Sequence, residues 1–153
     1  MKYKLQVKNL NDYINDKDFI SNLRALTLNK DSGSNKELTA LQKMKDENGV
    51  IDAKAIIAHT PEGMIGWALF SRESSKCCFS YKFHSDQGVL IHIYVKPEAR
   101  RSGAASAILK KARRLAGNKV LCVIPWSEEA TKFYRKNSDL KLKSLLPWVD
   151  LSI

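Results

Sequence analysis

The chain predicts an α/β domain: a mixed β-sheet flanked by helices. Three observations carry that expectation. Apolar runs of strand length open the chain, cluster in its middle and return near its end. Segments with helical spacing separate them, and strands and helices alternate only in the second half, the pattern of a mixed sheet. The 153 residues contain no linker or internal repeat and fall within the roughly 100–200 of one domain, so residues 1–153 are read as a single unit.

Residues 2–8 read as a strand, because Tyr3, Leu5 and Val7 alternate with Lys2, Lys4, Gln6 and Lys8. From Asp12 to about Leu28, the residues Tyr13, Ile14, Phe19, Ile20, Leu23, Leu26 and Leu28 recur at helical spacing. The turn-rich run from Lys30 to Asn35 breaks that helix. A second helix is expected from about Lys36 to Glu47, with Leu38, Leu41 and Met44 on one face and Gly49 past its end. Two strands follow, Ala53–His59 and Met64–Ser71, joined by Thr60-Pro61-Glu62-Gly63, which has hairpin-turn chemistry. Residues 72–76 are polar, and Cys77–His84 is a candidate short edge strand. Val89–Val95 is the clearest strand, apolar on both parities except at His92, as suits a strand covered on both faces. Pro97 ends it. A helix from about Ser102 to Ala116 turns Ala104, Ile108, Ala112 and Leu115 inward, and Gly117 supplies its stop. Lys119–Ile124 is a further strand, Ser127–Lys136 a further helix, and Leu140–Ser152 closes the sheet with one or two strands.

The net charge is +10 and the pI about 9.6. Such an excess favours anionic partners, although surface lysines also keep a protein in solution. Arg100-Arg101 and Lys110-Lys111-Ala112-Arg113-Arg114 crowd one short stretch. With 44% hydrophobic and 27% charged residues the chain is too apolar to be disordered. No run approaches the roughly 18 apolar residues of a membrane span, and the charged start does not read as a secretory signal. Three cysteines cannot all pair with one another, and Cys77-Cys78 has no CxxC spacing, which suits reduced thiols in a cytoplasmic protein. No His/Cys/Asp cluster has metal-ligand spacing, so no metal is expected.

The junction from Val95 to Ser106 is the most informative stretch: a strand, a tight loop and a helix start. Amides in the first turn of a helix lack internal partners and carry the positive end of its dipole. Small residues there (Ser102, Gly103, Ala104, Ala105 and Ser106) let an anion approach the main chain, and Arg100 and Arg101 add full charges at the rim. That is a recipe for a pyrophosphate cradle. It lacks the Lys-Ser/Thr of a Walker loop and the three glycines of a dinucleotide fingerprint.

The pattern Val-x-Pro-x-x-Arg-x-x-Gly-x-Ala after an apolar strand resembles the acyl-coenzyme A signature of the GNAT N-acetyltransferase superfamily. A second match lies downstream, where Trp126 to Lys136 is similar to that family's Asn-x-x-Ala-x-x-Phe-Tyr helix. The resemblance implies a fold in which the fourth and fifth strands splay apart. The pantetheine arm of acetyl-coenzyme A would then lie between them, bonding main-chain groups along Ile93, Tyr94 and Val95. Its pyrophosphate would sit on the amides from Arg101 through Ser106. Ser127 stands where the family usually has a cofactor-contacting Asn, and it is also a good helix N-cap. Tyr134 falls on the tyrosine that protonates the leaving thiolate in many relatives, with Phe133 beside it as packing. Leu140 replaces the usual Gly-Phe after this helix, which implies a modified closing strand.

An amine with a pKa near 10 must lose a proton before it attacks a thioester. The oxyanion then formed needs a donor, which a backbone N–H on the splayed strand supplies, and the departing thiolate needs a proton, which a phenol supplies. For the base, relatives place Glu, Asp or His at positions matching Val89 and Ile91, both apolar here. His92 is one residue off and by period two faces the other way, unless a bulge re-aims it. A water chain or a main-chain carbonyl is the other route. His59 and His84 read as strand-end surface residues. The resemblance implies an acceptor amine on a small molecule or a peptide, in a site shaped by roughly residues 24–35 and 138–150, which match no substrate signature; the lack of strand-four carboxylates argues against a polyamine, although Glu37, Asp46, Glu47 and Glu98 could supply them from elsewhere, and a homodimer is left open. The rival reading is a catalytically silent relative that binds coenzyme A or an acidic macromolecule through its basic face. A plain nucleic-acid-binding domain lacks the RRM, helix-turn-helix or zinc signatures it would need.

Overall fold

The structure, a computed structural model, describes residues 2–9, 54–71, 87–125 and 127–152; the side chains of Gln87, Ile91 and His92 lie outside it. The expected helices at 12–28 and 36–47, the edge strand Cys77–His84, and with them Cys77, Cys78 and His84, also fall outside the described residues. The strands are β1 (Lys4–Asn9), β2 (Lys54–Thr60), β3 (Gly63–Ser71), β4 (Gln87–Val95), β5 (Val120–Val123) and β6 (Leu142–Ser144), and the helices are α1 (Ala104–Ala116) and α2 (Glu128–Lys136). Among the described residues these six strands form one sheet in chain order. Pairing is antiparallel from β1 to β4, then parallel from β4 to β5 and from β5 to β6. The mixed α/β class read from the sequence is the class observed.

Alternation decides which side chains meet. Leu5 and Val7 of β1 stand opposite Ala58 and Ile56 of β2. Ile56 stands opposite Ala68 on β3, and Ala68 and Phe70 opposite Ile93 and Leu90 on β4. This row joins Ala104, Ile108, Leu109, Ala112 and Ala116 of α1 in one apolar cluster. The residues of the other parity are as well buried, with Ala55, Trp67 and Leu69 all at 0% exposure. The middle of the sheet is therefore covered on both faces. Of the outermost described strands, β1 exposes Lys4 and Gln6, and β6 is only three residues long.

Local chemistry sets the boundaries. The β2–β3 turn is the expected hairpin, with Thr60 opposite Gly63, the Glu62 N–H donating to Thr60 Oγ1 at 3.2 Å, and Gly63 at φ 134°. Helix α1 begins at Ala104, two residues after the predicted Ser102, because Gly103 takes φ 86° and cannot itself be helical. It ends as expected on Gly117, at φ 62°. The closing segment holds one short strand where one or two were expected: beyond Ser144 the chain turns, with the Leu146 N–H donating to Ser144 Oγ at 3.0 Å and the Val149 N–H to the Leu146 carbonyl at 3.1 Å.

Candidate active site

The end of β4 and the start of α1 form one continuous unit. The Lys96 N–H donates to the Ile65 carbonyl (2.9 Å), the last rung between β3 and β4. Pro97–Ala99 then makes a 3₁₀ turn, and Ala99, 1% exposed, enters the core and bends the chain back over the sheet. Two residues at positive φ follow, Arg101 at 66° and Gly103 at 86°. A non-glycine residue at positive φ is uncommon and costs about 1–2 kcal/mol. Tight turns of this geometry are also those from which backbone anion concavities are built.

The first helical bond of α1 runs from the Ala107 N–H to the Gly103 carbonyl (3.0 Å). The amides of Ala105 and Ser106 precede that ladder and have no carbonyl four residues back within the helix. The Ala104 N–H reaches Ser102 Oγ at 3.3 Å. Among the described residues a Cβ placed on Gly103 would meet only the Tyr3 hydroxyl, 3.8 Å away. The described residues around this helix start are small and cationic, so they fit a pyrophosphate.

Arg100 is exposed and also holds the loop. Its Nε donates to the Val95 carbonyl at 3.0 Å, and its guanidinium lies 5.7 Å from the Tyr94 ring centre. That bond fastens the loop to the end of β4. Arg101 is exposed beside it.

Strands β4 and β5 pair through only four residues, from Gln87↔Val120 to Leu90↔Val123. Beyond Leu90, β4 continues for five residues to Val95, while β5 stops and gives way to Ile124-Pro125. Proline has no N–H to extend the ladder. Residues Ile91 to Val95 thus keep β3 on one side and have no paired strand on the other among the described residues. This is the expected splay, and Pro125 is the signal from which sequence reasoning could have placed it.

The parting coincides with a bulge. Phe70 pairs with Leu90 and Leu69 with His92, so Ile91 is the extra residue. Strict alternation from Val89 would put His92 in the opposite row. With the bulge its backbone pairs with Leu69, in the row of the Ser71↔Val89 pair. The imidazole itself lies outside the described residues.

Helix α2 is capped by Ser127, whose Oγ accepts the Ala130 N–H at 3.0 Å. Tyr134, 4% exposed, belongs to the core cluster, and its ring centre is 5.4 Å from that of Phe133. It lines a concavity of about 350 Å³ with Ser138, Lys141, Leu142, Leu151 and Ser152. Arg135 ties this helix to the last segment, donating from Nε and Nη2 to the Asp150 carbonyl at 3.0 and 2.8 Å. The Asp150 carboxyl is held below the usual carboxylate range by the Ser152 hydroxyl, then by the Ser152 N–H, with Arg135 adding to it. Glu98 is lowered too, chiefly by a backbone hydrogen bond, and it pairs with Lys96 at 3.6 Å. His59 departs from its surface reading: it stands at the end of β2, half-buried, and its Nε2 is buried without a partner. Among the described residues no His/Cys/Asp/Glu cluster has a metal-binding arrangement, and no helix is long and apolar enough to cross a membrane.

The profile of the Acetyltransferase (GNAT) family matches residues 24–138, about three quarters of the chain. The protein belongs to the GNAT acetyltransferase family. Its reaction class is accordingly acyl transfer (EC 2.3.1). A comparison with curated proteins finds no match. Solved structures share the fold. A protein from Corynebacterium glutamicum, described as histone acetyltransferase HPA2 and related acetyltransferase, is 18% identical with TM-score 0.61, over 90% of this chain and 84% of that one. The ribosomal-protein-alanine N-acetyltransferase of Brucella melitensis biovar Abortus is 18% identical with TM-score 0.56, over 99% and 98%. The aminoglycoside N-acetyltransferase AAC(6')-Iy, solved in complex with CoA, is 16% identical with TM-score 0.55, over 94% and 90%. At these identities the likeness to this GNAT protein is one of fold.

Proposed function

We propose that the protein is an acetyl-coenzyme A-dependent N-acetyltransferase acting on a primary amine of a small molecule or a peptide. The observation that carries this reading is the parting of β4 from β5 after Leu90↔Val123, next to the open start of α1. Family membership and the coenzyme A complex of a fold relative support it.

Acetyl-coenzyme A, when bound, supplies an activated acetyl thioester. In this reading the amides of Arg101, Ser102, Gly103, Ala104, Ala105 and Ser106 hold its pyrophosphate, with the Arg101 charge adding attraction. Arg100 acts through the Val95 carbonyl, fixing the loop against the strand. Main-chain groups along Ile93, Tyr94 and Val95 receive the pantetheine arm, and an N–H there stabilises developing negative charge on the carbonyl oxygen. Tyr134 gives its phenol proton to the leaving thiolate. His92 is the candidate base, because the bulge at Ile91 brings its register position into the row of Val89. Ser127 caps α2 through its oxygen and keeps a hydroxyl proton to donate to the cofactor. No metal is needed, since these groups carry the charge and the proton transfers. A cytoplasmic location belongs to the same proposal, on the strength of the cysteine pattern.

The test is release of free coenzyme A thiol on adding amines, from small amines to peptide N-termini. Release that needs both the amine and the thioester is the expected result. Tight coenzyme A binding with no release for any amine would instead identify a silent binder.

A further inference from the structure

We propose that the outward face of α1, centred on Lys110, Lys111 and Arg114, is a docking surface for the phosphate backbone of a nucleic acid. This helix contains four cations and no acid. Its buried stripe is Ala104, Ile108, Leu109, Ala112 and Ala116, so Lys110 and Arg114, four residues apart, crown the opposite side, both exposed, with Lys111 half-buried beside them. Lys110 lies about 9 Å along the helix from Ala104, at 1.5 Å per residue, and so is separate from the cradle.

Stability does not account for this charge. The helix dipole favours cations only in the last turn, which explains Arg113 and Arg114 but not Lys110 and Lys111. Like charges three and four apart weaken a helix. Arg113 is otherwise engaged, donating from Nη2 to the Gly117 carbonyl at 3.0 Å and to the Lys119 carbonyl. Among the described residues no ion pair reaches Lys110, Lys111 or Arg114; the pairs there are Glu98 with Lys96 and Glu128 with Lys132. Next to the end of α1 the basic surface continues into a concavity of about 400 Å³, where Lys119 and Lys141 face one acid, Asp139.

The chemistry of the face selects its partner. Protein partners need buried aromatic or aliphatic anchors, and a membrane-surface helix needs a free apolar face. The apolar side of α1 is already spent on the core. The exposed large apolar residues described are Val120, in that concavity, and Trp148. Phosphate neutralisation requires only cations at suitable spacing.

The experiment measures fluorescence anisotropy of a labelled single-stranded RNA and a DNA duplex, each of about 20 nucleotides or pairs, across a salt series. Wild type is compared with Lys110→Gln, Arg114→Gln and the triple Lys110→Gln/Lys111→Gln/Arg114→Gln. Affinity should fall with salt on a log–log slope of about −2 to −3, from about three phosphates at −0.7 to −0.9 each. The triple variant should bind at least about tenfold more weakly and lose about two units of slope, each single variant about one. The acetyl-coenzyme A affinity of the triple variant by calorimetry and its melting temperature should match wild type, which separates this surface from the enzymatic reading. A triple variant that binds as wild type does, poly-glutamate that binds as tightly as either nucleic acid, or displacement by coenzyme A would each overturn the proposal. Should the triple variant not fold, the single variants and the wild-type slope still decide it.

Discussion

Tyr134 and Ser127 sit on one short helix, and their hydroxyls divide the work between chemistry and architecture. Tyr134 is 4% exposed and surrounded by core residues, so Tyr134→Phe keeps the ring and its packing and removes the hydroxyl, the proposed proton donor. Turnover should fall about 10²–10⁴-fold, the usual range for a lost general acid, with acetyl-coenzyme A affinity little changed. Steady-state rates set beside calorimetric affinities check this, and equal turnover would leave Tyr134 as packing. Ser127→Ala removes the acceptor for the Ala130 N–H and should cost about 1 kcal/mol in urea unfolding, whereas Ser127→Asn, another good cap, should cost little. If both substitutions cost the same, the cap is not what Ser127 contributes.

At the scale of elements, Gly66 sets how closely β3 approaches the unpaired half of β4. A Cβ there would lie 2.9 Å from the Tyr94 carbonyl oxygen and 3.0 Å from Val95 Cγ2, so Gly66→Ala must push the strand end away. We expect a loss of about 1–3 kcal/mol in urea unfolding, together with weaker acetyl-coenzyme A binding, because the displaced segment is the one proposed to receive the pantetheine arm. Stability lost without affinity would remove Tyr94 and Val95 from the proposed site. The described strands and the helices α1 and α2 were legible because each rests on local chemistry: alternation in β1 and β4, the Pro61-Glu62 turn, the caps Ser127 and Gly117. Other features depend on distant partners. That Arg100 fastens the loop to β4 depends on a carbonyl left at the end of that strand, and the row in which His92 sits depends on where β3 forces a bulge. Neither leaves a mark in the spacing of the residues themselves. The length of the closing strand belongs with these, since beyond Ser144 the chain turns on that residue's hydroxyl, which accepts the Leu146 N–H.

Across the whole molecule, charge and ligand linkage make two further expectations. The Asp150 carboxyl has a lowered pKa in the folded state, first through the Ser152 hydroxyl. Its contribution is therefore complete above the unfolded value of about 3.9 and is lost as pH falls through the lower folded value. Melting temperatures of wild type and Asp150→Asn should differ near neutrality and converge in strong acid; curves that stay parallel throughout would remove this linkage. Thermal melts should rise with acetyl-coenzyme A and stay flat with divalent cations, since only a ligand of the folded state stabilises it. The central claim is that coenzyme A is held by main-chain amides at the start of α1, and Gly103 is where it is most exposed to test. Among the described residues a Cβ at Gly103 meets only the Tyr3 hydroxyl, 3.8 Å away, so an Asp there acts through its charge and through strain at φ 86°. Calorimetric titration of acetyl-coenzyme A into wild type and Gly103→Asp measures this directly. Saturable binding to wild type and none detectable to a variant that still melts cooperatively is the expected result; near-normal affinity in that folded variant would place the phosphate site elsewhere.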